Sequence, residues 1–158
     1  MNREILFRGK PIDQKWWLEN FERFSSMEEW AIGNLIVSDG ECWIVGGIAD
    51  VDDEYIAHEW WVKIRPETVG QYTGLKDKNG VEIYEGDICR AAVYKDPVAL
   101  RKSMMINSLV VFHDGAFTLD GHKRLPDGFR TLPTFDDCEV LGNIHDNPEL
   151  LEVLGDGN

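Results

Sequence analysis

Glu67, Glu85 and Asp87 bring three carboxylates into one stretch, residues 66 to 88, dense in glycine and aromatic side chains. Carboxylates so grouped can serve general acid–base catalysis or hold Mg²⁺, provided the fold turns their oxygens onto one point. The same residue types cap turns by accepting backbone N–H groups, and among so many glycines this turn role is favoured. His113-Asp114 and His145-Asp146 each set a base beside a carboxylate, yet adjacency is not hydrogen-bonded orientation. No Ser or Cys nucleophile signature accompanies them, so turn chemistry explains both more simply. Cys42, Cys89, Cys138, His58, His113, His122 and His145 are the soft ligands available, without C-x-x-C or H-x-x-x-H spacing, and a zinc site would need long-range convergence. Gly70, Gly74 and Gly80 match neither phosphate-binding glycine motif. No metal, cofactor or catalytic residue is assigned. Trp16-Trp17 and Trp60-Trp61 are paired aromatics; lacking a cationic track around them, they fit core or oligomer contacts better than a stacking platform for bases or sugars.

The stretch 66 to 88 is the hub that must position these groups. Lys78-Asn79-Gly80 signals a tight turn of type I′, because Asn and Gly both tolerate positive φ. Gly70 and Gly74 allow bends before it. Val81, Ile83 and Tyr84 form a short apolar arm after it, and Glu85-Gly86-Asp87 turns the chain into a strand over 88 to 94.

Ahead of the hub, alternation over 4 to 8 predicts a strand. Asp13 is an N-cap candidate for a helix over 13 to 26, with Trp17, Leu18, Phe21 and Phe24 as its apolar stripe. The segments 30 to 37, 42 to 48 and 59 to 64 read as a three-strand meander, with the acidic run 50 to 54 as a polar connection before the third strand. On the last of these, Trp60 and Trp61 must point to opposite faces. Beyond the hub, 96 to 107 reads as a variable connection with room for one helical turn at 98 to 104. Strands at 108 to 113 and 116 to 119 flank Asp114-Gly115, a second hairpin signal. A loop over 120 to 137, a strand over 138 to 144 and a short helix capped by Asn147 with Pro148 at its first position complete the chain, and the tail from 155 should fray.

With 158 residues, 43% hydrophobic and 11% aromatic, the chain can bury one core or two small ones. A formal charge of −13 opposes direct binding to a polyphosphate backbone. Three widely spaced cysteines suit buried thiols in a reducing compartment. No run of eighteen apolar residues occurs, and the N-terminal sequence lacks a signal-peptide h-region, so a soluble cytoplasmic protein without membrane contact is expected.

Several blocks resemble the YopX family of phage and prophage proteins. They are REILFRGK (3 to 10), ETVGQYTGLKDKNG (67 to 80), IYEGDI (83 to 88), VVFHDGAF (110 to 117) and VLGNIHDNPELL (140 to 151). They occur in the family's order and span nearly the whole chain. The resemblance implies a small, β-rich, self-associating protein of a bacterial host's cytoplasm, encoded by a phage or prophage. It supplies no catalytic residues. Segments 13 to 26 and 96 to 107 look like insertions relative to the family pattern.

The expected fold is α+β, predominantly β: an N-terminal helix and antiparallel meander over 1 to 65, then an SH3-like small barrel with a terminal helix over 66 to 158. The expected function is a non-enzymatic, homo-oligomeric interaction module for a host or phage protein. Its contacts are sought at Tyr72, Thr73, Lys76, Tyr84, Glu85, Asp87, Trp16 and Trp61. The alternatives are an acidic nucleic-acid mimic, using carboxylates at 50–54, 136–139 and 146–156, and a metal-dependent hydrolase built on Glu85 and Asp87.

Overall fold

A computed structural model describes residues 3–21, 29–96, 101–120, 129–131 and 138–152. The chain is mostly β and divides into two units, Met1–Tyr72 and Thr73–Asn158.

In the first unit, strand β1 (Phe7–Gly9) pairs antiparallel with β2 (Ala31–Ser38) on one side and with the opening residues of β7 (Gly70–Lys76) on the other. β2 continues to β3 (Glu41–Val45), and β3 to β6 (Trp61–Ile64). Asp39 and Gly40 make the β2–β3 turn with φ of 52° and 77°, the primed geometry that matches strand twist. Helix α1 (Gln14–Phe21) starts where expected: Asp13 Oδ1 accepts the Trp16 N–H at 2.9 Å, an N-cap bond. Residues 22 to 26 of the expected helix lie outside the described set. Trp17 is 1% exposed and enters a core with Ala31, Cys42, Ile44, Val62 and Ile64. Leu18, expected in the same stripe, is instead exposed, because a residue one position on is rotated about 100° away from the buried Trp17.

The expected single strand over 42 to 48 is broken at Gly46-Gly47. Beyond this break β4 (Ile48–Val51) and β5 (Ile56–His58) pair only with each other among the described residues, as an arm continuing from β3 and β6. The acidic run is therefore a hairpin tip and not merely a connection. Asp52 Oδ1 accepts the N–H groups of Glu54 and Tyr55 at 2.8 and 2.9 Å, which closes the turn.

In the second unit, β7 turns back into β8 (Glu82–Tyr84), and a separate antiparallel sheet has the order β12 (Phe129–Thr131), β11 (Ala116–Asp120), β10 (Arg101–His113), β9 (Asp87–Asp96), β13 (Glu139–Asn143). Its core gathers Ile83, Cys89, Ala91, Val110, Leu119 and Cys138. Asp114 and Gly115, with φ of 48° and 80°, form the expected hairpin turn. Residues 101 to 107 correct the reading of a helical connection: they extend β10, because Ile106, Ser108 and Val110 alternate inward and the polar Ser and Asn residues hid that period. The expected loop over 120 to 137 contains β12, paired with β11; residues 121–128 and 132–137 are outside the described set. Helix α2 (Glu149–Glu152) follows Asn147-Pro148, and Asn107 Nδ2 donates to its Leu150 carbonyl at 2.9 Å. The tail from 153 lies outside the described residues.

The hub turn departs from type I′. Asn79 keeps negative φ and only Gly80, at 82°, is left-handed. Gly80 N–H donates to Asp77 O at 3.0 Å, and Asp77 N–H to Val81 O at 2.8 Å, the pattern of a type I turn closed by a glycine bulge. The sequence pattern missed the reason, which is Asp77. Its Oδ1 accepts the N–H groups of Asn79 and Val81, and its Oδ2 accepts that of Val140, all at 2.8 to 2.9 Å. Burial works to raise the Asp77 pKa, but these backbone bonds and Lys78 outweigh it and hold the carboxyl below its ordinary value.

Candidate functional site

The two tryptophan pairs divide in the same way. Trp17 and Trp60 turn toward the first unit's core and meet edge-on, ring centroids 5.5 Å apart at 62°. Trp16 and Trp61, 44% and 63% exposed, turn outward. On α1, and where the chain enters β6, sequence neighbours point in different directions, so burying one indole of each pair presents the other.

The outward indoles line one cavity of about 570 Å³ with Ile12, Asp13, His58, Glu59, Val62, Lys63 and part of Trp60. That volume is typical of a small-ligand cleft. Gly46 makes the arrangement possible: a Cβ there would sit 2.3 Å from Trp60 Nε1, so only glycine lets the indole lie against this backbone. His58 Nδ1 lies 3.2 Å from the Gly46 carbonyl oxygen, a distance at which Nδ1–H donates to it. Lys63 is ion-paired with Glu41, and its ammonium also lies 5.9 Å from the Trp43 ring. Asp13 and Glu59 are exposed, and the balance of charge along the groove is negative.

The hub residues have different surroundings. Tyr72, Thr73 and Tyr84, sought as contact residues, are buried. Thr73 Oγ1 donates to the Ile83 carbonyl at 2.8 Å and accepts the Leu75 N–H at 3.2 Å, holding β7 against β8. Tyr84 Oη donates to Glu82 Oε2 at 2.9 Å, and Lys76 Nζ lies 3.9 Å from Glu82 Oε1. Asp87 is 2% exposed and its Oδ2 accepts the Tyr84 N–H at 2.7 Å. Glu85 is half-buried beside it in sequence, but no bond unites the two as a catalytic pair among the described contacts. Among the described residues no group of three or more His, Cys, Asp or Glu side chains converges to hold a metal ion.

Cys42, Cys89 and Cys138 are buried thiols outside any disulfide. The hydrogen bond between Cys89 and Cys138, together with burial and the carboxylates of Asp87 and Asp77, pushes the Cys89 thiol far above its ordinary range.

The model of the family described as YopX protein matches residues 7–152. The chain belongs to the YopX family. A solved structure of a protein of this size, titled as protein EF1440 from Enterococcus faecalis, superposes with a TM-score of 0.53 at 24% identity, covering 94% of this chain and 99% of that one. That likeness shows the fold alone. No curated protein matches the chain. The YopX match includes both tryptophan pairs and the hub, so groove and turn system alike lie within the family region. No helix among the described residues is long and apolar enough to cross a membrane.

Sequence reasoning located Trp16 and Trp61 but not Ile12, His58, Glu59 and Lys63 as their neighbours. The available signal was Glu59, charged and directly ahead of the second tryptophan pair.

Proposed function

We propose that this YopX family chain is a non-enzymatic, self-associating interaction module, encoded by a phage or prophage and acting in the cytoplasm of a bacterial host. The observation that carries the reading is the β4–β5 arm. Ile48, Val51, Tyr55 and Ile56 are 50 to 59% exposed on a two-stranded ribbon whose outer edges have no strand partner among the described residues. A lone hairpin is marginal in water, and open strand edges favour pairing with another strand. A second copy supplies that strand: two arms paired about a two-fold axis cover each other's apolar residues and keep their acidic tips at opposite ends. The SH3-like small barrel remains our reading of the second unit.

The other two functions have less support. In a nucleic-acid mimic the carboxylates stand in for phosphates, whereas Asp52 closes its own turn and Asp50 Oδ2 accepts the Tyr55 hydroxyl at 2.7 Å. In a hydrolase Asp87 must face a metal or substrate, whereas it is buried and its Oδ2 accepts the Tyr84 N–H.

Affinity capture from nuclease-treated host lysate, run beside a mass measurement of the purified protein, tests the proposal. An oligomer, or a stoichiometric captured protein, supports it; a monomer that captures nothing sinks it.

A further inference from the structure

We infer that the groove between Trp16 and Trp61 binds a cationic side chain, arginine or lysine, presented by a basic and partly apolar peptide segment of a partner protein. The inference rests on the interaction-module reading and assigns that module a second surface, separate from the arm.

The groove offers two exposed indoles and the side chain of Ile12, 50% exposed. Indole faces attract ammonium and guanidinium groups through their quadrupole, most strongly when the cation is partly desolvated, as in a cleft of this volume. The same chain already uses this chemistry internally: the Arg8 guanidinium carbon lies 4.5 Å from the Trp30 ring centroid and Lys10 Nζ lies 5.1 Å from it.

Charge selects the cation over a neutral or anionic guest. Asp13 and Glu59 bring carboxylates to the lining, while the lining's lysine, Lys63, is held by Glu41. Asp13 Oδ1 accepts the Trp16 N–H, which fixes that carboxylate at the start of α1, beside the indole it would serve. On the other side the Glu59 backbone is tied down, its N–H donating to the Gly47 carbonyl at 2.8 Å. A guest cation therefore meets exposed indoles together with the carboxyl-bearing residues Asp13 and Glu59. The formal charge of −13 adds a long-range attraction for a basic partner. The cavity has room for a segment of roughly two or three residues, so a cationic residue with an apolar neighbour is the expected epitope.

The test is a tryptophan-fluorescence titration of the full chain with three capped twelve-residue peptides, alternating Leu-Arg, Leu-Glu and Leu-Ser, and with a neutral oligosaccharide. The Leu-Arg peptide should bind saturably and weaken as NaCl is raised. Trp61→Ala and Trp16→Ala should each weaken it at least about fivefold, and Glu59→Gln about threefold or more. Circular dichroism checks that each variant is folded. Equal binding of Leu-Glu and Leu-Arg, Leu-Arg binding indifferent to all three substitutions, or saturable binding of the oligosaccharide alone would each overturn the inference. So would the absence of any binding, or Trp61 becoming protected from a soluble quencher with rising protein concentration, which would place a second copy in the groove. If the peptide fails while the arm still drives self-association, the groove assignment falls and the interaction-module reading stands.

Discussion

Trp17 and Trp60 meet edge-on with ring centroids 5.5 Å apart, and each leaves its sequence neighbour, Trp16 or Trp61, on the surface of the first unit. The contact joins α1 to the segment leading into β6, so the core that stabilises the unit also sets the position of the exposed indoles.

Trp17→Ala should cost the first unit about 3–5 kcal/mol, the range for deleting a buried large aromatic, whereas Trp61→Ala should stay within about 0.5 kcal/mol of wild type. Urea unfolding followed by circular dichroism measures both. Equal losses in the two variants would contradict the division of roles.

Gly46→Ala should destabilise by about 1–3 kcal/mol, since the new methyl group meets the Trp60 indole and the ring must move. A shift in the tryptophan emission of the folded variant reports that movement. Gly40→Ala gives a contrasting case in which strain arises from backbone conformation alone, because nothing lies within 4 Å of a Cβ there.

Asp77→Ala should remove at least about 2 kcal/mol from the second unit, because the backbone N–H groups of Asn79, Val81 and Val140 lose a buried charged acceptor. The pH dependence follows from the lowered pKa. The unfolded chain binds the proton more readily than the folded one, so the stabilisation is complete above the ordinary carboxylate value of 3.8 and disappears as pH falls through the lower folded value. Wild-type stability should therefore decline on acidification from about pH 5, and the Asp77→Ala variant should show a shallower decline.

How much of this was legible before the fold was known depends on how local the cause is. The Asp13 cap, the Asp114-Gly115 turn and the opposed faces of Trp60 and Trp61 each depend on residues within a few positions, and each is readable from residue type. The hub turn was legible only in outline. Asn79-Gly80 marked the place, but the conformation is set with Asp77, whose third bond reaches Val140, sixty-three positions away. The reach of β10 back through 101 to 107 was obscured because the polar Ser103 and Asn107 break the apolar pattern there, so the strand was legible only from Ser108 onward. Tyr72 and Tyr84 looked like contact residues because aromatic and polar neighbours surround them in sequence, and burial is decided by strands the local pattern does not contain. For the groove, Trp16, Trp60 and Trp61 were visible as members of the tryptophan pairs; Ile12, His58 and Lys63 join them only through tertiary placement.

The three thiols should be silent to Ellman's reagent in the native protein and react after denaturation, since Cys42, Cys89 and Cys138 are all buried. Rapid native reaction of any one of them would contradict its placement in a core.

Sedimentation velocity of the purified chain over a wide concentration range, beside the double variant Ile48→Ser/Ile56→Ser, tests the central claim most directly. Self-association through the arm predicts an oligomer for the wild type that grows with concentration, and a monomer for the variant with its circular dichroism unchanged. A wild type that stays monomeric throughout, or a variant that assembles as well as the wild type, would contradict it.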